Sequence, residues 1–366
     1  MLVLVLAFSA IMPCVEAAPT KDVLTEWTLP NSNSHPYNIV FEDNQVYFTE
    51  GAGRIGCLHT LTSRLIEWNF EATSIPLDLV VAGGCLYFTA YNGIWIGRLN
   101  PLTNEFTKWT LPPSSCQPSG IVANGSLIYF AERGCNKIGR LNLATSEVTV
   151  WSMPNFNSGP WDVAVAGSFI YFTERDGHRI GRLDPTTNEI LEWNIPNAPQ
   201  PFGLTIFDGF VFFTEYQGNK IGQLNILSNK LTEWSLPAKY SYPTEIVFDG
   251  HRVYFAEYGT SGSGADRIGL LNLTTGGLET TLYSTKNTIY PTTVTVTPVT
   301  TVVVPTSTRL KPSRSHVYAV SSGQFIEWSL APSSGPWGIA VTSRNQRHDY
   351  IYFTEWKGNK IGRIGA

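Results

Sequence analysis

Short stretches in which apolar and polar residues alternate run the length of the chain, and no window sustains the 3.6-residue apolar spacing of an amphipathic helix. The segment "IYFTERDGHRIGRLDPTTNEILEWNIP", starting at Ile170, shows the grammar most fully. Upstream of it, a proline opens an apolar stretch, Pro160-Trp161-Asp162-Val163-Ala164-Val165. A turn leads to "YFTE", a polar loop to "RIGRL", and a "P-x-T-N" turn to "ILEW". β-branched and aromatic residues fill all four stretches, so each unit predicts four short strands.

The unit repeats. The tryptophan of the "EW" word recurs at Trp27, Trp68, Trp109, Trp151, Trp193 and Trp234, spaced by 41, 41, 42, 42 and 41 residues. Four strands per period of this length predict an all-β protein, a β-propeller of four-stranded blades. The next such word ends at Trp328, 94 residues after Trp234. The interval holds a Thr/Val/Pro-rich tract, at about 278–324, which reads either as a degenerate blade or as an insertion. Prolines 36, 76, 118, 160, 201, 243, 291 and 336 then open eight repeat units, one of them degenerate, with seven blades as the alternative. The chain ends after "NKIGRIGA" without a closing "EW" strand and begins with a spare one, "VLTEWTLP". The N-terminal strand is therefore expected to complete the last blade and close the ring, leaving no long open edge.

Residues 1–18 carry an apolar run followed by small residues at Ala17 and Ala18, the pattern of a secretory signal peptide, although no basic residue precedes it. The run is short for a membrane span, and nothing in residues 19–366, read as one domain, is long and apolar enough for another. Outside the leader four cysteines remain. Cys116 and Cys135 fall in loops of one face of the third blade and are expected to pair; Cys57 and Cys85, near the opposite face, form the other candidate pair. Asn124 and Asn272 head sequons. A net charge of −4 argues against nucleic acid. The expected product is a secreted or surface-exposed monomer.

"YFTE…NKIGRL", "DPTTNEILEW" and "GPWGIA" resemble the virginiamycin B lyase family, over nearly the whole chain outside the leader and the Thr/Val/Pro tract. The resemblance implies a seven-bladed propeller and a lyase that opens a cyclic depsipeptide antibiotic at its ester bond by elimination, with Mg²⁺. It also implies a site at the central funnel of one face, with a histidine near the start of an inner strand and glutamates close by. The residues after the opening prolines are Tyr37, Leu77, Ser119, Trp161, Phe202, Thr244, Thr292 and Trp337, and none is histidine. His35 lies one residue before Pro36, out of register, and His178 in a loop of the same face.

The candidates for residual chemistry are Glu174 and Glu215, as catalytic groups or Mg²⁺ ligands, together with His178 and His35. Glutamate recurs at 50, 132, 174, 215, 257 and 355, with Ala90 in the second blade. A group present in nearly every blade reads as scaffold before it reads as catalyst. What differs between blades is the residue after the proline, aromatic at Tyr37, Trp161, Phe202 and Trp337. These four either plug the channel or stack on a small molecule, glycan or peptide. The expected function is ligand or partner binding at the funnel, without the streptogramin lyase reaction. The rivals are a metal-dependent lyase or hydrolase acting on a cyclic ester or lactone, and a structural envelope component.

Overall fold

The computed structural model describes residues 24–365 apart from 72, 114–115, 237–238, 250–251, 260–265, 273–283, 289–291, 296–298, 303–304, 310–325, 331–332 and 343–349. The expected leader, residues 1–18, lies outside them. Among the described residues there is no α-helix, only a 3₁₀ turn at Arg133–Cys135, and no helix long and apolar enough to cross a membrane.

Seven four-stranded antiparallel blades form a ring. Blades 1 to 5 are contiguous, over residues 36–69, 76–110, 118–152, 160–194 and 201–235. Blade 6 takes three strands from Pro243–Phe248, Arg252–Tyr258 and Asp266–Asn272, and its fourth from Ile326–Ser329. Blade 7 pairs Pro336–Val341, Tyr350–Glu355 and Lys360–Gly365 with the N-terminal strand Leu24–Thr28, Trp27 lying opposite Ile361. The predicted closure is thus present.

The count of eight gives way to seven. The described strands of the Thr/Val/Pro tract, Ser284–Thr288, Thr292–Thr295, Val299–Val302 and Pro305–Arg309, do not pair with one another. They add to the outer strands of blades 5, 4, 3 and 2 in turn. Pro291 itself lies outside the described residues, and the strand that follows it, Thr292–Thr295, is the fifth strand of blade 4's sheet, not the first of a new blade. The physical reason lies in the outer strands: their free N–H and C=O edge is a template for a β-rich segment, whereas the tract lacks the "YFTE" and "KIGRL" words that pack a blade.

Each word of the repeat has a visible job. In all seven blades the glycine of "IG" lies under the phenylalanine of "YF"; a Cβ on Gly181 would sit 2.0 Å from the Phe172 ring. The "EW" tryptophans from Trp27 to Trp234 are buried between blades. Trp68, Trp151 and Trp193 donate through Nε1 to Asn104, Asn188 and Asn229 in the turn of the following blade, at 2.8–3.0 Å. Those asparagines hold positive φ, a conformation asparagine tolerates better than most residues.

Blades are also stitched at the channel. The threonine of "YFT" donates its hydroxyl to the carbonyl after the next blade's opening proline: Thr49 to Leu77, Thr89 to Ser119, Thr173 to Phe202, Thr214 to Thr244 and Thr354 to Tyr37. Blades 3 and 6 read "YFA", with Ala131 and Ala256, and cannot do this. There Ser119 and Thr244, after the opening prolines, supply the hydroxyl, to Trp161 and Trp337 carbonyls at 2.8 Å each.

Cys116 and Cys135 form the expected disulfide, with Cα atoms 5.4 Å apart. Cys57 and Cys85 are buried and unpaired, so that second pairing is withdrawn. Cys57 packs in the apolar layer between blades 1 and 2 and Cys85 in the layer between blades 2 and 3, and the Cys57 thiol lies 3.0 Å from Gln45 Oε1.

Candidate functional site

The first strand of every blade bulges just after its proline; in blade 4 the register shifts between Pro160 and Val163. A bulge frees residues from the ladder and re-aims them. The two freed residues point to the central channel and its mouth, so the sequence positions most able to vary line the middle of one face.

The first freed position places Tyr37, Trp161, Phe202 and Trp337 together. Phe202 is fully buried and Trp161 nearly so. Ring centroids stand 4.7 Å apart for Trp161 and Phe202, 5.4 Å for Phe202 and Trp337, and 5.5 Å for Tyr37 and Trp337. The rings of blades 7 and 1 and those of blades 4 and 5 therefore meet and fill the throat of the funnel. Tyr216 continues the array, 5.6 Å from Phe202 and 5.1 Å from Tyr242. From there the aromatic track opens into a cleft of about 430 Å³ between blades 5 and 6, lined by Tyr216, Gln217, Asn219, Lys239, Tyr240 and Tyr242. Tyr240 and Tyr242 both hold positive φ, costly for a bulky side chain.

The second freed position holds Asn38, Asp78, Asp162 and Glu245, beneath the plug around a void with room for about one water. Asp78 Oδ2 accepts from Ile121 N–H and Asp162 Oδ2 from Leu204 N–H, each in the next blade, so these carboxylates join neighbouring first strands. Burial raises the pKa of all three carboxyl groups, and their mutual repulsion raises Asp78 and Glu245 further. Sequence reading missed this layer. Its signal was the polar or acidic residue two places after a proline in an otherwise apolar strand.

The remaining candidates lie apart from the plug. Glu174 is fully buried, 2.6 Å from Arg179, which also reaches Glu192 at 3.6 Å. Glu215 is fully buried beside Glu233, which pairs with Lys220 at 2.6 Å. Burial, and then the Glu233 charge, push Glu215 up to about 8. His178 stands where other blades have asparagine. Its Nδ1 accepts from Gln200 N–H at 3.2 Å, as Asn136 Oδ1 accepts from Gly159 and Asn219 Oδ1 from Ser241. His35 holds positive φ and stacks on Trp356, centroids 4.6 Å apart.

The donors do not fit Mg²⁺. The ion wants several carboxylate and water oxygens in octahedral array. Glu174 is engaged by a guanidinium, and Glu215 lies in another blade beside a lysine and favours its proton. Among the described residues no group of three or more His, Cys, Asp or Glu is placed to hold a metal.

The virginiamycin B lyase family model matches residues 22–309. Two crystal structures of virginiamycin B lyase from Staphylococcus aureus match at 24% identity and TM-score 0.71. They cover 94% of this chain and 100% of theirs. One is a catalytically inactive histidine-to-alanine variant with quinupristin. A streptogramin B lyase structure matches at 24% identity and TM-score 0.69, over 94% of this chain and 97% of that one. No curated protein matches the sequence. At this identity the structures speak for the fold, while the family model spans well over half of the sequence: the chain belongs to the virginiamycin B lyase family.

Proposed function

We propose that this protein is an exported ligand-binding propeller whose ligand lies on the funnel face, against the aromatic track and the adjoining cleft, and that it does not carry out the streptogramin elimination. The observation that carries this reading is the continuous aromatic track from Trp337 through Phe202 and Tyr216 to Tyr242, which ends in an open cleft of ligand size. Flat faces at a mouth suit a sugar or an apolar ring. The buried glutamates are scaffold in this reading.

Loss of the elimination is supported by the first freed position, where the described blades carry Tyr37, Leu77, Ser119, Trp161, Phe202, Thr244 and Trp337. The relative crystallised with quinupristin is inactive after loss of one histidine, and here no histidine stands at any of these places to act as acid or base. Export is supported by the leader pattern and by the Cys116–Cys135 disulfide, a bond that persists in oxidising compartments.

The test is to incubate the protein with quinupristin and Mg²⁺ and follow ring opening by mass, while titrating sugars and cyclic peptides against tryptophan fluorescence. Intact quinupristin with saturable quenching is expected. Ring opening would overturn the non-catalytic reading, and an absence of quenching by every ligand would overturn the binding reading.

A further inference from the structure

The funnel mouth carries one cation that its surroundings do not answer. The Arg175 guanidinium lies over three aromatic rings at once, 4.9 Å from Trp161, 5.0 Å from Phe202 and 5.4 Å from Tyr216. Cation–π contact engages the face of a guanidinium, not its N–H edge. No described residue accepts a hydrogen bond or closes an ion pair with that edge, and Nε is buried with no partner.

The nearest acid is already committed. Asp176 takes Arg133 in a forked pair, at 3.0–3.2 Å, and Arg133 itself rests 5.6 Å from Trp161. Two arginines and one aspartate leave an excess positive charge at the mouth. Burial, and then the Arg133 charge, lower the Arg175 pKa, so the fold holds this cation against an electrostatic cost. Arginine stays protonated even so. A buried donor such as Nε left without a partner is expensive, and an anion arriving at that edge recovers the cost.

We propose that Arg175 is the anchor for a carboxylate on the ligand's ring, the acid meeting the free guanidinium edge and the ring lying along Tyr216 and Tyr242 into the cleft that Lys239 borders. The planar fork of arginine matches a carboxylate with two parallel hydrogen bonds. The cleft, at about 430 Å³, accepts a ligand of one or two rings. The ligand class is thus a small ring-bearing acid, whether an aromatic acid or a uronic sugar. This inference rests on the funnel-face binding reading and narrows it.

The experiment uses two matched pairs of probes on the mature protein, 4-hydroxybenzoate against 4-hydroxybenzamide and glucuronate against glucose, read by tryptophan fluorescence and calorimetry. At least one acid is expected to bind about tenfold or more tightly than its neutral partner, with an affinity that falls as salt rises. The pair that shows this tells the aromatic source from the sugar source. Arg175→Met, which keeps the packing over Trp161 but not the charge, should abolish the preference; Arg175→Lys should keep part of it, because the charge remains without the fork. Circular dichroism and thermal melts check that both variants are folded. Neutral and acid probes binding equally, or a preference that survives in Arg175→Met, would overturn the anchor while leaving funnel-face binding standing. Binding of no probe in any pair, acid or neutral, would overturn both.

Discussion

In blade 4, Glu174, Arg179 and Glu192 meet across three strands; in blade 2 the same ladder positions hold Ala90, Trp95 and Lys108. Blade 4 buries two carboxylates against one guanidinium. Blade 2 fills the space with an indole, 2% exposed, packed 5.6 Å from Phe88 and 5.7 Å from Phe106. It turns the third position outward, where Lys108 pairs with Glu71. Blade 3 is intermediate: it keeps the acid and the cation, Glu132 and Lys137, but holds a buried Val150 at the third position. The acid and its cation are kept or lost together, because a buried charge without its partner costs more than either complete solution, while the third position varies by itself. The channel hydroxyls follow the same rule: where threonine becomes Ala131 or Ala256, Ser119 or Thr244 takes over. Residues replaced together belong to the scaffold, and the proposed anchor Arg175 stands outside these sets.

The largest effect should come from breaking one set. Arg179→Met leaves Glu174 and Glu192 buried without their cation, and about 3–5 kcal/mol should be lost in urea denaturation at neutral pH. Carrying blade 2's whole set into blade 4, as Glu174→Ala, Arg179→Trp and Glu192→Lys, should give a protein more stable than the single variant. The new indole would meet Met153 and Ile190 where Trp95 meets Phe70 and Phe106. A triple variant weaker than Arg179→Met would mean that the two solutions are not interchangeable.

Acid sets also differ from the apolar one in their response to pH. Glu215 is pushed from 4.5 up to about 8, and Glu192 up to about 7, in each case first by burial and then by the neighbouring glutamate. The folded protein therefore holds these protons more tightly than the unfolded chain. The stability they contribute is complete below about pH 4.5 and drains away as pH rises towards 7 to 8. Each proton sets a slope of at most about 1.4 kcal/mol per pH unit. Denaturation curves across this window should show falling stability with rising pH, shallower in Glu215→Gln. An unchanged slope would remove Glu215 from the account.

Much of this was legible beforehand, for a physical reason. A repeated word must pack against copies of itself, so its period fixes the blade and its spare "EW" strand fixes the closure. The glycine under phenylalanine and the tryptophan between blades recur with that period because each has one steric use. The Thr/Val/Pro tract was not legible, because edge pairing selects backbone more than side chains. Nor were the channel acids or Arg175. Asp78 and Asp162 act through a backbone N–H one blade period on, 43 and 42 residues away, and a backbone partner leaves no side-chain signature in the sequence, while Arg175 is defined by the rings beneath it. His178 shows the converse: its chemistry is that of a base, while its place in the blade is that of an asparagine.

A smaller effect tests the relocated hydroxyl. Ser119→Ala removes the bond to the Trp161 carbonyl and should cost about 1 kcal/mol. Adding Ala131→Thr should return most of it, since a hydroxyl on the second strand would reach that carbonyl as Thr173 reaches Phe202, at 2.7 Å. Failure of the rescue in a thermal melt would make the Ser119 exchange incidental.

The smallest effect should fall on Lys108, and its smallness is informative. This lysine occupies the ladder position of buried Glu192, so a reading by position alone would make it critical. Its side chain is 22% exposed and its partner Glu71 57% exposed, so water screens the pair. Its ammonium also lies 5.5 Å from the Trp95 ring, a contact worth about 0.5–1 kcal/mol at exposed sites. Lys108→Met keeps the stem that covers the indole and loses only the charge, so the change in stability should stay within about 1 kcal/mol. A loss as large as that of Arg179→Met would show that blade 2 still depends on a charge at this position, and the contrast between the two blades would then be one of degree.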